Sequence, residues 1–186
     1  MRKIFSFTLL GLSLLLCGSA EARSHKQKHK PGMRKRSVAV TAKPAFISLA
    51  LRKSSNLSLE SGPIPFNDIE MKSQNIAWSS KDRIIHISEE GIYSIDYCVK
   101  IKREGGWSEG EPVKFLLIID GQKKDETSLN LNDTYSVYQT THKTLRQLAA
   151  GSKIQLQADV SGETNRVFAC VSPQEAMAYI VITRIG

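Results

Sequence analysis

The chain has 186 residues, 24% of them charged, a formal net charge of +8 and three cysteines. Nine of its 26 basic residues and one of its 18 acids precede residue 37, which leaves 17 of each sign in the remainder. A neutral body with a basic extension excludes the uniformly basic surface of a nucleic-acid-binding domain, and about 140 residues suffice for one domain with its own core.

Arg2 and Lys3 open the chain, Ile4 to Cys17 is an apolar run, and Ala20-Glu21-Ala22 places small residues at the two positions that a signal peptidase reads. This is the pattern of a cleavable export signal over residues 1–22. The alternative of a membrane anchor needs about 20 apolar residues, more than this run holds. Lipidation at Cys17 is disfavoured by Leu14-Leu15-Leu16, because a lipoprotein signal places a small residue before the cysteine. The chain is therefore expected to act outside the cytoplasm: extracellular, on a surface or in a periplasm.

Residues 23–43 form a tail and linker. Within it, residues 23–36 hold Arg23, Lys26, Lys28, Lys30, Arg34, Lys35 and Arg36, a charge of +7 with no acid and no apolar period. Such a segment is expected to be disordered. It serves either as a solvated linker or as an anchor to an anionic envelope or membrane surface. His25 and His29 within it make a poor metal site.

From residue 44 the pattern is strand after strand. Ala45–Leu51 and Arg83–Ile87 are short β-leaning runs. In Ile92–Ile101 the residues Tyr93, Ile95, Tyr97, Val99 and Ile101 alternate with Ser94, Asp96, Cys98 and Lys100, so Cys98 is expected on the more polar face. Gly105–Pro112 reads as a loop. Val113–Ile119 is nearly all apolar and is expected to be covered on both faces, and Asp120-Gly121 reads as a tight turn. Tyr135–Tyr138 and Thr140–Leu148 precede a turn at Gly151, with Leu145–Ala150 a short stretch of helical propensity. Lys153–Val160 alternates again, and Met177–Ile185 is a last buried strand. The fold class predicted is all-β, a sandwich or barrel.

Three segments resemble the globular head domain of complement's first component: Ile64-Pro65-Phe66-Asn67-Asp68-Ile69-Glu70, Gly91-Ile92-Tyr93-Ser94-Ile95-Asp96-Tyr97, and Leu145–Leu156 with its leucine pair, glycine turn and alternating strand. Their order and spacing agree, and the domain they define covers residues 44–186. The resemblance implies a two-sheet antiparallel jelly roll of about ten strands, the fold shared with tumour necrosis factor ligands and with the tip domains of bacterial spore-surface collagen-like glycoproteins. It further implies a homotrimer, with exposed aromatics near the threefold axis, that binds proteins, lipids or glycans without catalysis. No Gly-X-Y stalk precedes the domain, Ser152 stands where the family has an acidic residue, and Met177-Ala178-Tyr179-Ile180 replaces its phenylalanine-rich closing strand.

Chemistry offers few footholds. After cleavage Cys98 and Cys170 remain, either as a disulfide formed in an oxidising compartment or as two buried thiols. Trp107, Glu109 and Glu111 make the loop at Gly105–Pro112 a candidate recognition element, unless Trp107 folds back on the sheet. Glu109, Glu111 and Asp120 are candidate calcium ligands, although such carboxylates are more often ordinary loop residues; no cofactor is otherwise expected. Asn56-Leu57-Ser58 and Asn132-Asp133-Thr134 fit the N-glycosylation pattern. No serine has a nucleophile-elbow context and no Cys/His spacing fits zinc. The reading is a non-enzymatic binding or structural module. A carbohydrate-binding module and a secreted cytokine-like ligand are the alternatives.

Overall fold

The structure is a computed structural model that describes residues 44–52, 57–103, 112–131, 136–160, 166–169 and 175–186. Twelve strands and no helix are found among them. In chain order they are β1 (Phe46–Leu51), β2 (Gly62–Pro63), β3 (Asp68–Lys72), β4 (Ile76–Ser79), β5 (Ile84–Ile87), β6 (Gly91–Arg103), β7 (Val113–Ile119), β8 (Gln122–Leu129), β9 (Val137–Leu148), β10 (Lys153–Asp159), β11 (Arg166–Phe168) and β12 (Ala178–Arg184).

Ten of these form two five-stranded antiparallel sheets. Sheet A runs β9-β6-β12-β1-β3 and sheet B runs β4-β5-β10-β7-β8; the short β11 adds to β6 and the short β2 to β10. The architecture is the jelly-roll sandwich that the sequence predicts. The first and last long strands, β1 and β12, lie side by side within sheet A.

Alternation explains which side of each strand is buried. Tyr93, Ile95, Tyr97, Val99 and Ile101 of β6 face Phe115, Leu117, Ile154 and Leu156 of sheet B in one core. Each such buried side chain contributes about 1.5–3 kcal/mol of transfer free energy. The two large tyrosines keep their hydroxyls satisfied at the margins, Tyr93 donating to the Glu89 carbonyl at 2.8 Å and Tyr97 hydrogen-bonded to Thr127 of sheet B. Burial pushes both phenols above their ordinary pKa.

The strand β7 alternates between buried and half-buried positions rather than being covered on both faces: Lys114, Leu116 and Ile118 look outward. Leu145–Leu148, a stretch with helical propensity, is extended in β9, which is continuous from Val137 to Leu148 because it pairs along twelve residues with β6. The turn at Asp120-Gly121 has φ of 52° and 76°, the paired left-handed residues of a type I′ hairpin. Gly91 has a different necessity: a Cβ there would stand 2.5 Å from Arg184 Nε and 2.6 Å from the Gly186 carbonyl oxygen.

Candidate functional site

The sequence-predicted site residues divide sharply. Cys170, Trp107, Glu109, Glu111 and the tail residues Arg23, Lys26, Lys28, Lys30, Arg34, Lys35 and Arg36 lie outside the described residues, as do Asn56 and Asn132. Cys98 is described. It is a buried free thiol, 1% exposed, and burial raises its pKa, ahead of an opposing effect of Lys100.

Asp120 is engaged within its own turn. One carboxylate oxygen accepts from the Ser152 hydroxyl at 3.1 Å and the other from the Lys153 N–H at 2.8 Å. The serine that replaces the acid of the resembled family thus locks the β7–β8 turn to the start of β10. No cluster of three His, Cys, Asp or Glu side chains suited to a metal ion occurs among the described residues.

His142 sits in the middle of β9, on the inward side. Its ring is stacked near Tyr97, with centroids 5.4 Å apart. Asp125 of β8 reaches across from sheet B to Arg146 at 2.6 Å, with His142 Nε2 3.7 Å from the same carboxylate oxygen. Two sheets that share no backbone hydrogen bonds along this edge are therefore joined by side chains.

The feature that the sequence did not reveal is the outer face of sheet A. Register aligns Thr141, Cys98, Tyr179, Ala50 and Asp68 in one row across the five strands. The next row is Lys143, Asp96, Val181, Ser48 and Met71, and the next Leu145, Ser94, Thr183 and Phe46. Cys98, Ala50 and Ser48 are buried and Tyr179, Val181 and Phe46 half-buried by their neighbours. The expectation that Cys98 lies on the opposite face from the β6 tyrosines holds, but that face is not wet at its centre. Small residues let neighbouring side chains close over the sulfur, and Tyr179 is near enough that burial, then Cys98 and Asp96, raise its pKa.

Around that centre lie exposed aliphatic side chains. Met71 is on β3, Ile92 on β6, Val137 and Leu145 on β9, and Ile185 follows β12, while Ile69 of β3 stands opposite the buried Leu49, on the other side of this edge strand. These six are all the exposed large hydrophobics among the described residues; five lie on strands of sheet A and Ile185 directly follows its strand β12. Met71 is 61% and Leu145 57% exposed, at opposite edges of the sheet. The expected exposed aromatics are absent from this set. The face is aliphatic at its rim, with its aromatics, Phe46 and Tyr179, half-buried. Its edge at β3 is held by ions: Arg52 pairs with Asp68 at 3.2 Å and with Glu70, which also accepts from the Ser48 hydroxyl at 2.7 Å.

No protein-family model matches the sequence, and no curated protein matches it. The fold has a solved counterpart. The crystal structure of murine APRIL at pH 5.0 is similar over 77% of this chain and 100% of that one, at a TM-score of 0.54 and 10% identity. The fold is a jelly roll of the tumour necrosis factor type. At that identity the likeness concerns the backbone path alone, and the narrower resemblance to complement head domains rests on the three sequence segments.

Proposed function

We propose that this chain is an exported, non-enzymatic interaction module that self-associates as a homotrimer through the outer face of sheet A and presents its loops to a protein or glycan partner outside the cytoplasm. The observation that carries the reading is the concentration of exposed aliphatic side chains on one sheet of a tumour necrosis factor-type sandwich. Exposed apolar side chains gathered on one face mark an interaction site. Met71 and Leu145 lie at opposite edges of that sheet, so one copy's β3 edge can meet the next copy's β9 edge. Such a head-to-tail contact uses two different patches and forms a ring where the rotation between copies closes.

Several features support a role without catalysis. The Cys98 thiol is buried and held protonated, Asp120 is consumed by its turn, and His142 sits in a cross-sheet contact. A secreted ligand of cytokine type is compatible with this fold. The basic tail would add attraction to anionic surfaces, a contact that weakens as salt screens it.

Light scattering on the purified protein at micromolar concentration tests the reading. A mass of three chains is expected, and a clean monomer would overturn it. Glycan-array binding that persists after deletion of residues 23–36 would assign the partner to the glycan class.

A further inference from the structure

Residues 57–67, which lead into β3, form a strap that is fastened to both sheets. The Leu57 carbonyl accepts from Phe168 N–H at 2.9 Å, and Ile64 N–H donates to the Leu156 carbonyl at 2.9 Å. Gly62–Pro63 pairs with β10. The Asn67 side chain accepts from Arg52 N–H at 2.9 Å and donates to the Arg52 carbonyl.

Beneath this strap is a cleft of about 380 Å³. Its floor is apolar: Leu51, Ile64, Ala158 and Phe168, all buried. Two charged residues line it, Glu60 and Arg83, both exposed. Among the described residues neither has an ion-pair partner, and they do not pair with each other. Arg83 is held in a left-handed backbone conformation, φ 55°, and donates from one guanidinium nitrogen to the Pro63 carbonyl at 2.8 Å. That bond fixes the guanidinium beside the strap and leaves its remaining donors without an acceptor among the described residues.

The dimensions and lining fit a small-molecule site, an apolar concavity with a few convergent polar groups. The charges narrow the class of ligand. A simple carboxylate would satisfy Arg83 and be repelled by Glu60, and a simple amine the reverse. A molecule that carries both signs and one apolar group satisfies all three elements. We propose that the cleft binds an apolar α-amino acid, with its side chain on the Leu51–Phe168 floor, its carboxylate on the Arg83 guanidinium fork and its ammonium on Glu60. The cleft lies at the strap end, apart from the outer face of sheet A, so this inference stands whether or not the chain is a trimer.

The test uses the intact protein and three probes: L-phenylalanine, its amide, which lacks the carboxylate, and its N-acetyl derivative, which lacks the ammonium. Titration followed by ¹⁵N-resolved NMR should show saturable shifts at Leu51, Ile64, Ala158 and Phe168, with phenylalanine binding on the order of millimolar. Each derivative should bind at least about fivefold more weakly, the loss of one charged hydrogen-bonded contact at a partly solvated rim. Arg83→Gln should erase the preference over the amide, Arg83→Lys should restore part of it, and Glu60→Gln should erase the preference over the N-acetyl compound. Absence of saturable shifts, equal affinity for all three probes, or affinity unchanged in both charge variants would overturn the proposal. Light scattering on the same samples reads the association state separately.

Discussion

The two sheets treat their outer faces in opposite ways. Sheet B turns Lys114, Leu116 and Ile118 outward from β7 and Lys153, Gln155, Gln157 and Asp159 from β10, with Glu126 and Lys123 beside them on β8. Its two apolar side chains there are half-buried among charged and amide neighbours. Sheet A mixes Ser94, Asp96, Lys143 and Thr183 into its outer rows but fills their centre with Cys98, Tyr179, Ala50, Val181, Ser48 and Phe46, bordered by exposed Met71, Leu145 and Ile92. Both sheets bury their inner faces in the same core, so folding alone constrains them equally. An antiparallel sheet is free to be polar on its outer side, and sheet B uses that freedom. Sheet A uses it only in part, and the difference separates what this sequence needs in order to fold from what it needs afterwards.

The comparison can be broken from the inside first. Leu49→Ala in sheet A and Leu117→Ala in sheet B remove fully buried side chains of the shared core. Each should lower the unfolding free energy by about 2–5 kcal/mol in denaturant titrations; a cost confined to one sheet would show that the core is not shared. Next come the outer faces. Met71→Glu combined with Leu145→Glu should shift the association equilibrium at least about 100-fold towards monomer by light scattering. The counterpart pair Gln155→Glu and Gln157→Glu on sheet B should leave it unmoved. If both pairs dissociate the protein equally, the distinction between the faces fails.

Smaller effects sharpen the boundaries. Asp125→Asn removes the cross-sheet pair with Arg146, whose side chains are 20% and 36% exposed. Solvent screening holds the expected loss to about 1 kcal/mol, seen as a Tm lower by a few degrees. Last is Glu70 at the β3 margin. The Ser48 hydroxyl first, and Arg52 second, hold its carboxyl below the ordinary carboxylate pKa in the folded state. Its contribution is therefore full above that ordinary value and is lost as pH falls through the lower folded one. Glu70→Gln should flatten this acid limb by a few tenths of a kcal/mol, and an unchanged slope would remove Glu70 from the account.

The strands at sheet centres were legible because alternation marks them. In β6 and β10 every second residue is apolar, and both strands have neighbours on either side. The edge strands β8 and β3 were not. Gln122-Lys123-Lys124-Asp125-Glu126-Thr127-Ser128-Leu129 forms β8 with only its last residue apolar; pairing to β7 holds it extended, not a pattern of its own. The edge strand β3 is similar, exposed along most of its length. The outer face of sheet A was invisible for another reason. Thr141, Cys98, Tyr179 and Ala50 share a row through pairings between residues far apart in the chain, and no window of sequence contains them. Cys98 alone gave a hint, as a small apolar residue at a position assigned to water, where Tyr179 and the flanking strands cover it.

Sheet A also sets a schedule for the chain's maturation. Its centre is β12, which hydrogen-bonds to β1 on one side and β6 on the other. Until β12 is available, β1 has no partner on that side, and β1 and β6 both expose a bare edge. A chain emerging N-terminus first from a ribosome or a translocation pore therefore cannot close this sheet stepwise. The sheet stays open until β12 has emerged, then seals in one late, long-range event of the kind that makes β-rich domains slow to fold. For a polypeptide whose leading segment reads as an export address, lateness of closure is compatible with passage through a narrow channel.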